Sequence, residues 1–228
     1  MKKIIFGIFA HPDDEAFGPS GALLKEVKDG NELHLITLTD GGAGMNPDST
    51  PDLGKVRAEE WYQAGQLFGA KSMHLLGYED GRLNNQIMIE AAEKITQIIT
   101  ATLSSDERDI AVEMIGMDLN GVTGHIDHIV ASRTACLVFY RMKALDPRFS
   151  RLRLSCYPAS AFPKANTDWI YMEAGRTPDE IDETIDGRAY QNELRTIVAA
   201  HKTQRHDGEN YLKWQGDNLG LCSFIVKT

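Results

Sequence analysis

The stretch KIIFGIFAHPDDE, residues 3–15, joins an apolar segment to a run of polar side chains. Residues 3–9 are mostly isoleucine, phenylalanine and glycine, which predicts a strand buried on both faces. A histidine, a proline and three consecutive acidic residues follow almost at once. The chain therefore places ionisable groups at the carboxyl end of a buried strand, where open α/β sheets bind their ligands.

The same order of strand, loop and helix repeats along the chain. It predicts an α/β fold with a Rossmann-like, mainly parallel sheet, helices on both faces, and a catalytic site at the carboxyl ends of the strands. We expect one domain over residues 1–228. Further strands are predicted over 32–40, 71–77, 109–116, 151–161, 182–186 and 221–227, and helices over 21–30, 55–68, 86–103, about 127–143 and 187–202.

Composition argues against several classes of protein. A net charge of −9 argues against a nucleic-acid partner and against binding to an acidic membrane surface. No apolar run approaches the roughly 18 residues of a membrane span, and the short run at the start predicts a strand and not a signal peptide. Three scattered cysteines without a C-x-x-C motif are typical of reduced thiols, so we expect a cytoplasmic protein.

The turn after the first strand offers a first pair of metal ligands. His11 and Asp14 provide one nitrogen and one oxygen three residues apart. The alternative is an ordinary helix start, because proline suits the first helical turn and acidic residues there complement the helix dipole.

A second pair lies in TGHIDHIVAS, residues 123–132. His125 and His128 are three residues apart and so share one face of a helical turn, although a capped helix start with surface histidines would look the same. With the first turn, His11, Asp14 and His128 form a two-nitrogen, one-oxygen set, which matches an open catalytic zinc site. The remaining Asp13 and His125 are the right residue types for a base and an oxyanion-stabilising group.

Several motifs together resemble one family. AHPDDE near the start and GHIDH about 110 residues later are similar to the LmbE-like, or PIG-L, N-acetylglucosamine deacetylases. The loop LTDGGAG, the helix KVRAEEWYQAGQLFGA, the loop GYEDGRL and the stretch AAHKTQ also resemble segments of that family. The resemblance covers most of residues 3–205 and is thin between about 140 and 180.

The resemblance implies a zinc-dependent hydrolase whose partner is a small acetylated amino sugar. The same kind of site accepts Fe²⁺ or Co²⁺. Many members have proline where Ile126 stands, and some have an oxyanion-binding tyrosine where this chain has Thr123. The implied roles are metal ligands for His11, Asp14 and His128, general base for Asp13, transition-state contact for His125, orientation of His125 for Asp127, and substrate binding for Arg57 and Asp80.

Two alternatives stay open at this point. Carboxylates at strand ends also suit a metal-dependent phosphoesterase, although such sites usually add arginine, lysine or a glycine-rich cradle. A non-catalytic metal-bearing binding protein would keep the ligands but would not need Asp13.

Of the other histidines, we expect His34 and His74 to be structural and give no weight to a place for His201 at the rim of the site. The sequence leaves the aglycone and the oligomeric state open, a homo-oligomer included.

Overall fold

The structure is a computed structural model that describes residues 2–104 and 110–228. Its strands are β1 (Lys3–Phe9), β2 (Glu32–Thr39), β3 (Ser72–Tyr78), β4 (Ala111–Met117), β5 (Phe149–Cys156), β6 (Glu183–Asp186) and β7 (Leu221–Lys227). They form a seven-stranded sheet in the order β3-β2-β1-β4-β5-β7-β6. The first five strands are parallel, and β7 runs antiparallel to both β5 and β6.

Helices cover both faces of this sheet, which confirms the predicted fold class. They are α1 (Asp14–Phe17), α2 (Ser20–Lys28), α3 (Leu53–Phe68), α4 (Asn85–Ser104), α5 (Gly121–Gly124), α6 (Ile126–Leu145), α7 (Gln191–Ala200) and α8 (Arg205–Gln215). Side chains alternate along β1, so Phe6 packs on the α4 and α6 side and Phe9 on the α2, α3 and α7 side. Within the described residues, no helix is both long and apolar enough to cross a membrane.

Most element bounds agree with the sequence to within a few residues, and the departures have physical reasons. The predicted strand over 151–161 ends at Cys156, two residues before Pro158. Residue 109, the start of the predicted fourth strand, lies outside the described residues. Helix α8 was not predicted, because only Gly208 in it is fully buried and its apolar side chains Tyr211 and Leu212 are adjacent and only partly buried against the core, which leaves a weak apolar pattern.

A buried ion cluster ties α2 to the central strands. Arg153 is fully buried, and its Nη2 lies 2.7 Å from Glu26 Oε1 and 3.0 Å from Glu113 Oε2. Lys3 Nζ lies 2.9 Å from Glu26 Oε1, and Arg151 Nε lies 3.2 Å from Glu113 Oε1. We call these five residues the Arg153 cluster. Its two carboxylates each contact more than one cation.

Candidate active site

Two short segments with unusual backbone meet at the carboxyl ends of β1 and β4. After β1, Asp13 has a φ of 111°, and after β4, Val122 has a φ of 60°. These angles are strained for residues other than glycine, and such strain is often found at functional sites. The first turn is held by Asp14 Oδ2, which accepts hydrogen bonds from the backbone N–H groups of Ala10 (3.0 Å) and His11 (2.9 Å).

The three predicted metal ligands converge. His11 Nδ1 lies 3.0 Å from His128 Nε2. Asp14 Oδ1 lies 3.3 Å from His128 Nε2, and Asp14 Oδ2 lies 3.9 Å from His11 Nδ1. Two ligands of one tetrahedral zinc ion would be about 3.3 Å apart at ordinary bond lengths. The His11–His128 and Asp14–His128 distances are close to that value, and the His11–Asp14 distance, measured to the other Asp14 oxygen, is longer. Ligand atoms of His11, Asp80 and Asp127 also lie within 4.8 Å of one another.

Hydrogen bonds orient both histidines for this task. His128 Nδ1 lies 3.0 Å from the carbonyl oxygen of Gly121, which can only accept, so Nδ1 carries the proton and Nε2 is free to bind metal. His11 Nε2 donates to Asp80 Oδ1 at 3.0 Å and lies 3.4 Å from Asp127 Oδ2, which leaves Nδ1 free. A ring nitrogen held by a carboxylate or carbonyl is the usual support of a metal-binding histidine.

His125 has the opposite arrangement. Its Nδ1 accepts a hydrogen bond from the backbone N–H of Asp127 at 3.2 Å, so the neutral ring carries its proton on Nε2. Burial, with the charges of His11 and His128, lowers the pKa of His125, which favours this neutral form. Nitrogens of His11, His125 and His128 do lie within 4.8 Å of one another, so a three-histidine site is a geometric alternative. The hydrogen bonding makes His125 a donor instead.

Asp127 and Asp80 form a support around the far side of the His11 ring. Asp127 accepts hydrogen bonds from the backbone N–H groups of Gly81 (2.7 Å) and Leu83 (3.2 Å). The expectation that Asp127 orients His125 needs correcting, since its carboxylate contacts His11 and only its backbone N–H reaches His125. Asp80 was expected to contact the substrate. Its carboxylate likewise accepts hydrogen bonds from His11 Nε2 and from the backbone N–H of Ala43.

Arg57 holds Asp13. Its Nη2 donates to Asp13 Oδ2 at 2.9 Å and to the carbonyl oxygen of Pro12 at 2.7 Å, and its Nη1 donates to the carbonyl oxygen of Gly41 at 2.7 Å. From the sequence, we expected Arg57 to contact the substrate. In the structure it lines the cleft, but its guanidinium is bonded within the protein. Burial, together with the charge of Asp14, raises the pKa of Asp13 to about 6 against the opposing effect of Arg57. A carboxylate that titrates near neutrality suits a general base.

A second buried pair supports Asp13 from behind, and the sequence did not reveal it. Glu15 Oε1 lies 2.9 Å from His201 Nε2, and both side chains are almost fully buried. Glu15 Oε2 accepts a hydrogen bond from the backbone N–H of Asp13 at 3.2 Å, next to the strained φ of that residue. Burial opposes a charge on His201, but Glu15 raises its pKa above the ordinary value. His201 is thus an internal residue and does not lie at the rim.

The site carries an excess of negative charge. We call its five acidic side chains, Asp13, Asp14, Glu15, Asp80 and Asp127, the carboxylate cluster. Burial opposes a charge on His11, yet hydrogen bonds with Asp127 and Asp80 and the charge of Asp14 raise its pKa to about 10. A ring that keeps a proton despite being buried marks a place that favours positive charge. A divalent ion at Nδ1 would take the place of that proton.

A cleft of about 660 Å³ opens above these residues, within the range of small-molecule sites. Met45 and its neighbours form one side, and Trp169 and Tyr157 lie on another. Thr123, at the tyrosine position of some family members, also lines the cleft, and its Oγ1 lies 3.2 Å from His128 Nδ1. His34 and His74 lie away from the cleft and both contact Ser72 Oγ.

Comparisons with known sequences point to one family. The family model described as PIG-L, GlcNAc-PI de-N-acetylase, matches residues 6–139, more than half of the chain. A 1D-myo-inositol 2-acetamido-2-deoxy-alpha-D-glucopyranoside deacetylase of Thermobifida fusca is 27% identical over 86% of this chain and 82% of its own length. An enzyme of the same name from Mycolicibacterium vanbaalenii is 25% identical over 89% of this chain and 80% of its own length.

Solved structures share the fold at lower identity. The N,N'-diacetylchitobiose deacetylase of Pyrococcus horikoshii aligns with a TM-score of 0.68 at 17% identity, over 99% of this chain and 83% of its own. GalB, the 4-carboxy-2-hydroxymuconate hydratase of Pseudomonas putida KT2440, aligns with a TM-score of 0.67 at 15% identity, over 100% of this chain and 97% of its own. One fold thus supports different reactions, so the reaction must be argued from the site.

Proposed function

The chain belongs to the PIG-L family, and from that premise we propose that its cleft is the active site of a zinc-dependent deacetylase. The substrate is a small N-acetylated amino sugar or an N-acetylglucosamine conjugate. The observation that carries the proposal is the oriented set of His11 Nδ1, His128 Nε2 and Asp14, whose spacing fits one ion. The family expected from the sequence motifs is confirmed by the family match.

The donor set fits a catalytic metal. His11, His128 and Asp14 would hold the ion, and two nitrogens with one oxygen suit zinc while leaving a coordination position open. When bound, the ion supplies Lewis acidity that polarises the acetamide carbonyl and makes a water molecule easier to deprotonate. The same donors accept Fe²⁺ or Co²⁺, so zinc is the finer part of the proposal.

The chain's own residues provide the remaining steps. Asp13, held by Arg57, accepts the proton of the attacking water. His125 points its Nε2–H donor at the cleft and stabilises the developing oxyanion, which is the use that its hydrogen bonding favours. The proton that Asp13 has taken up then passes to the nitrogen of the amine leaving group, because a neutral His125 has no acidic proton to give up. The products are acetate and the free amine.

Two alternative functions fit the site less well. A phosphoesterase must bind a dianion, but the carboxylate cluster surrounds the site and the Arg57 guanidinium is already bonded to Asp13 and two carbonyl oxygens. A binding protein without catalysis would not need a carboxylate whose pKa is raised to about 6 beside the ligands. A cytoplasmic location, a single domain over residues 1–228 and a homo-oligomer stay predictions.

The direct test is acetate release from a panel of N-acetylglucosamine conjugates. Purified protein loaded with zinc should release acetate and free amine in equal amounts, lose this activity in a chelator, and regain it when zinc is restored. A phosphomonoester panel serves as the comparison. Phosphate release, or acetate release that resists the chelator, would contradict the proposal.

A further inference from the structure

Trp169 is a large aromatic side chain that is exposed inside the cleft. It is 77% exposed, although tryptophan is usually well buried in folded proteins. It lines the same cleft as the metal-binding residues, and its ring centroid lies 6.0 Å from that of His125 with 31° between the ring planes. Exposed aromatic surface beside polar groups marks a contact site for a ligand.

The position of Trp169 is tied to the catalytic segment. The backbones of Asn166 and Met172 exchange two hydrogen bonds of 2.9 Å, which close the loop that carries Trp169. This loop packs against Gly124, where a Cβ atom would lie 2.0 Å from the carbonyl oxygen of Tyr171. Gly124 directly precedes His125 in the chain. The backbone of the loop that carries Trp169 is therefore tied to the segment that carries His125.

The cleft around Trp169 combines apolar and polar surface. Met45 and Phe17 also line it, as do the polar side chains of Gln204 and Asp207. A pyranose ring has the matching character, with C–H groups on its face and hydroxyl groups around its edge. The face of an aromatic ring is negatively polarised and attracts such C–H groups.

We propose that Trp169 is the stacking platform for the pyranose ring of the substrate. It holds the ring so that the acetamido group reaches His125 and the metal ligands. The inference rests on the proposed deacetylase function and extends it, because it requires a closed sugar ring and names the residue that selects it. An open-chain N-acetylated amino alcohol presents the same acetamide and hydroxyl groups without a ring face.

A matched pair of ligands tests this directly. N-acetylglucosamine and its reduced, open-chain form N-acetylglucosaminitol are titrated into zinc-loaded Asp13→Asn protein, whose slowed turnover leaves them intact during the titration. Dissociation constants are measured by ligand-observed NMR. The closed ring should bind roughly tenfold more tightly, which corresponds to about 1.4 kcal/mol. Trp169→Ala added to this background should reduce the ratio to nearly one, and Trp169→Phe should keep most of it. In otherwise wild-type enzyme, Trp169→Ala should raise KM and leave kcat nearly unchanged.

Tyr171→Ala provides the control, since Tyr171 is 63% exposed on the same loop but does not line the cleft. It should leave the ratio unchanged. A ratio that survives Trp169→Ala, or that falls equally in Tyr171→Ala, would overturn the stacking role while acetate release still supports the deacetylase. If the Asp13→Asn protein binds neither sugar and the wild-type enzyme releases no acetate, both proposals fail together.

Discussion

The molecule contains two buried clusters of charged side chains, and they differ in balance. In the Arg153 cluster, the carboxylates of Glu26 and Glu113 lie between the charged groups of Lys3, Arg151 and Arg153. In the carboxylate cluster, five acidic side chains at the strand ends surround histidines whose charge depends on protonation, and Arg57 is bonded to one of the five. In the first cluster every carboxylate has cationic side chains as partners, whereas in the second the acidic side chains outnumber the permanently charged cations by five to one.

This difference separates a structural role from a functional one. Burying a carboxylate is costly unless a partner compensates it, so a folded protein retains an uncompensated set only where something binds. The raised pKa of His11, about 10, points the same way, because the surrounding carboxylates stabilise a positive charge on a buried ring. Substitutions in the two clusters should therefore affect different properties.

The largest effect is expected from the metal ligands. His11→Ala and His128→Ala should strip most bound zinc and lower turnover by at least ~10³-fold, because losing the ion removes several kcal/mol of transition-state stabilisation. Metal analysis and acetate release measure the two effects. His206→Ala, at an exposed position outside the ligand set, is the control and should behave like the wild type. Full zinc occupancy in both variants would contradict the ligand assignment.

The next effect concerns His125. His125→Ala should keep its zinc and its substrate affinity, since Nδ1 accepts a hydrogen bond from the backbone N–H of Asp127 and Nε2 carries the ring proton. Turnover should fall by roughly 10²–10³-fold, the scale of losing one oxyanion donor. A zinc-free variant would instead support the three-histidine site.

Asp13→Asn should retain the metal and lower turnover by at least ~10²-fold, the scale of losing a general base. Asparagine keeps the shape of the side chain and can still contact Arg57, so the loss would report proton transfer and not a collapse of the turn. Circular dichroism and metal content confirm that the variant is intact. Near-normal turnover would remove Asp13 from this role.

A smaller effect on folding contrasts the two clusters directly. Glu113→Gln should lower the free energy of unfolding by about 3 kcal/mol or more, because Arg153 is fully buried and loses a charged partner. Asp80→Asn should cost the metal-free protein less than ~1 kcal/mol and weaken zinc binding by about 10–100-fold, the usual effect of losing support for a ligand. Urea denaturation and zinc titration measure these quantities. Equal losses of stability in both variants would end the distinction between the clusters.

The sequence revealed those parts of the site that are local in the chain. His11, Asp13 and Asp14 lie on one turn after a buried strand, and His125 and His128 lie at one helix start, so spacing and motif sufficed. The Glu15–His201 pair joins residues 186 positions apart and forms only when α7 packs behind the first turn. Arg57 and Asp80, predicted to bind the substrate, do line the cleft, but their bonds to Asp13 and His11 appear only after folding.

The loop that carries Trp169 lies in the region where no family motif matched. The position of this loop depends on the close approach of the Tyr171 backbone to Gly124, and the sequence alone does not show that contact. The exposure of Trp169 depends on the residues around it, and these come from distant segments of the chain. The local sequence therefore does not reveal it. Helix α8 was missed because its few apolar side chains lie close together at its end and give only a weak helical period.

We expect this site to hold one catalytic ion through His11, Asp14 and His128. A crystal structure of the zinc-loaded protein, with anomalous data collected on both sides of the zinc absorption edge, tests it most directly. We predict one strong anomalous peak about 2.0–2.2 Å from His11 Nδ1, His128 Nε2 and an oxygen of Asp14, with His125 Nε2 outside bonding distance. A peak bonded to His125, or one placed between His11 Nε2, Asp80 and Asp127, would show that other side chains hold the ion.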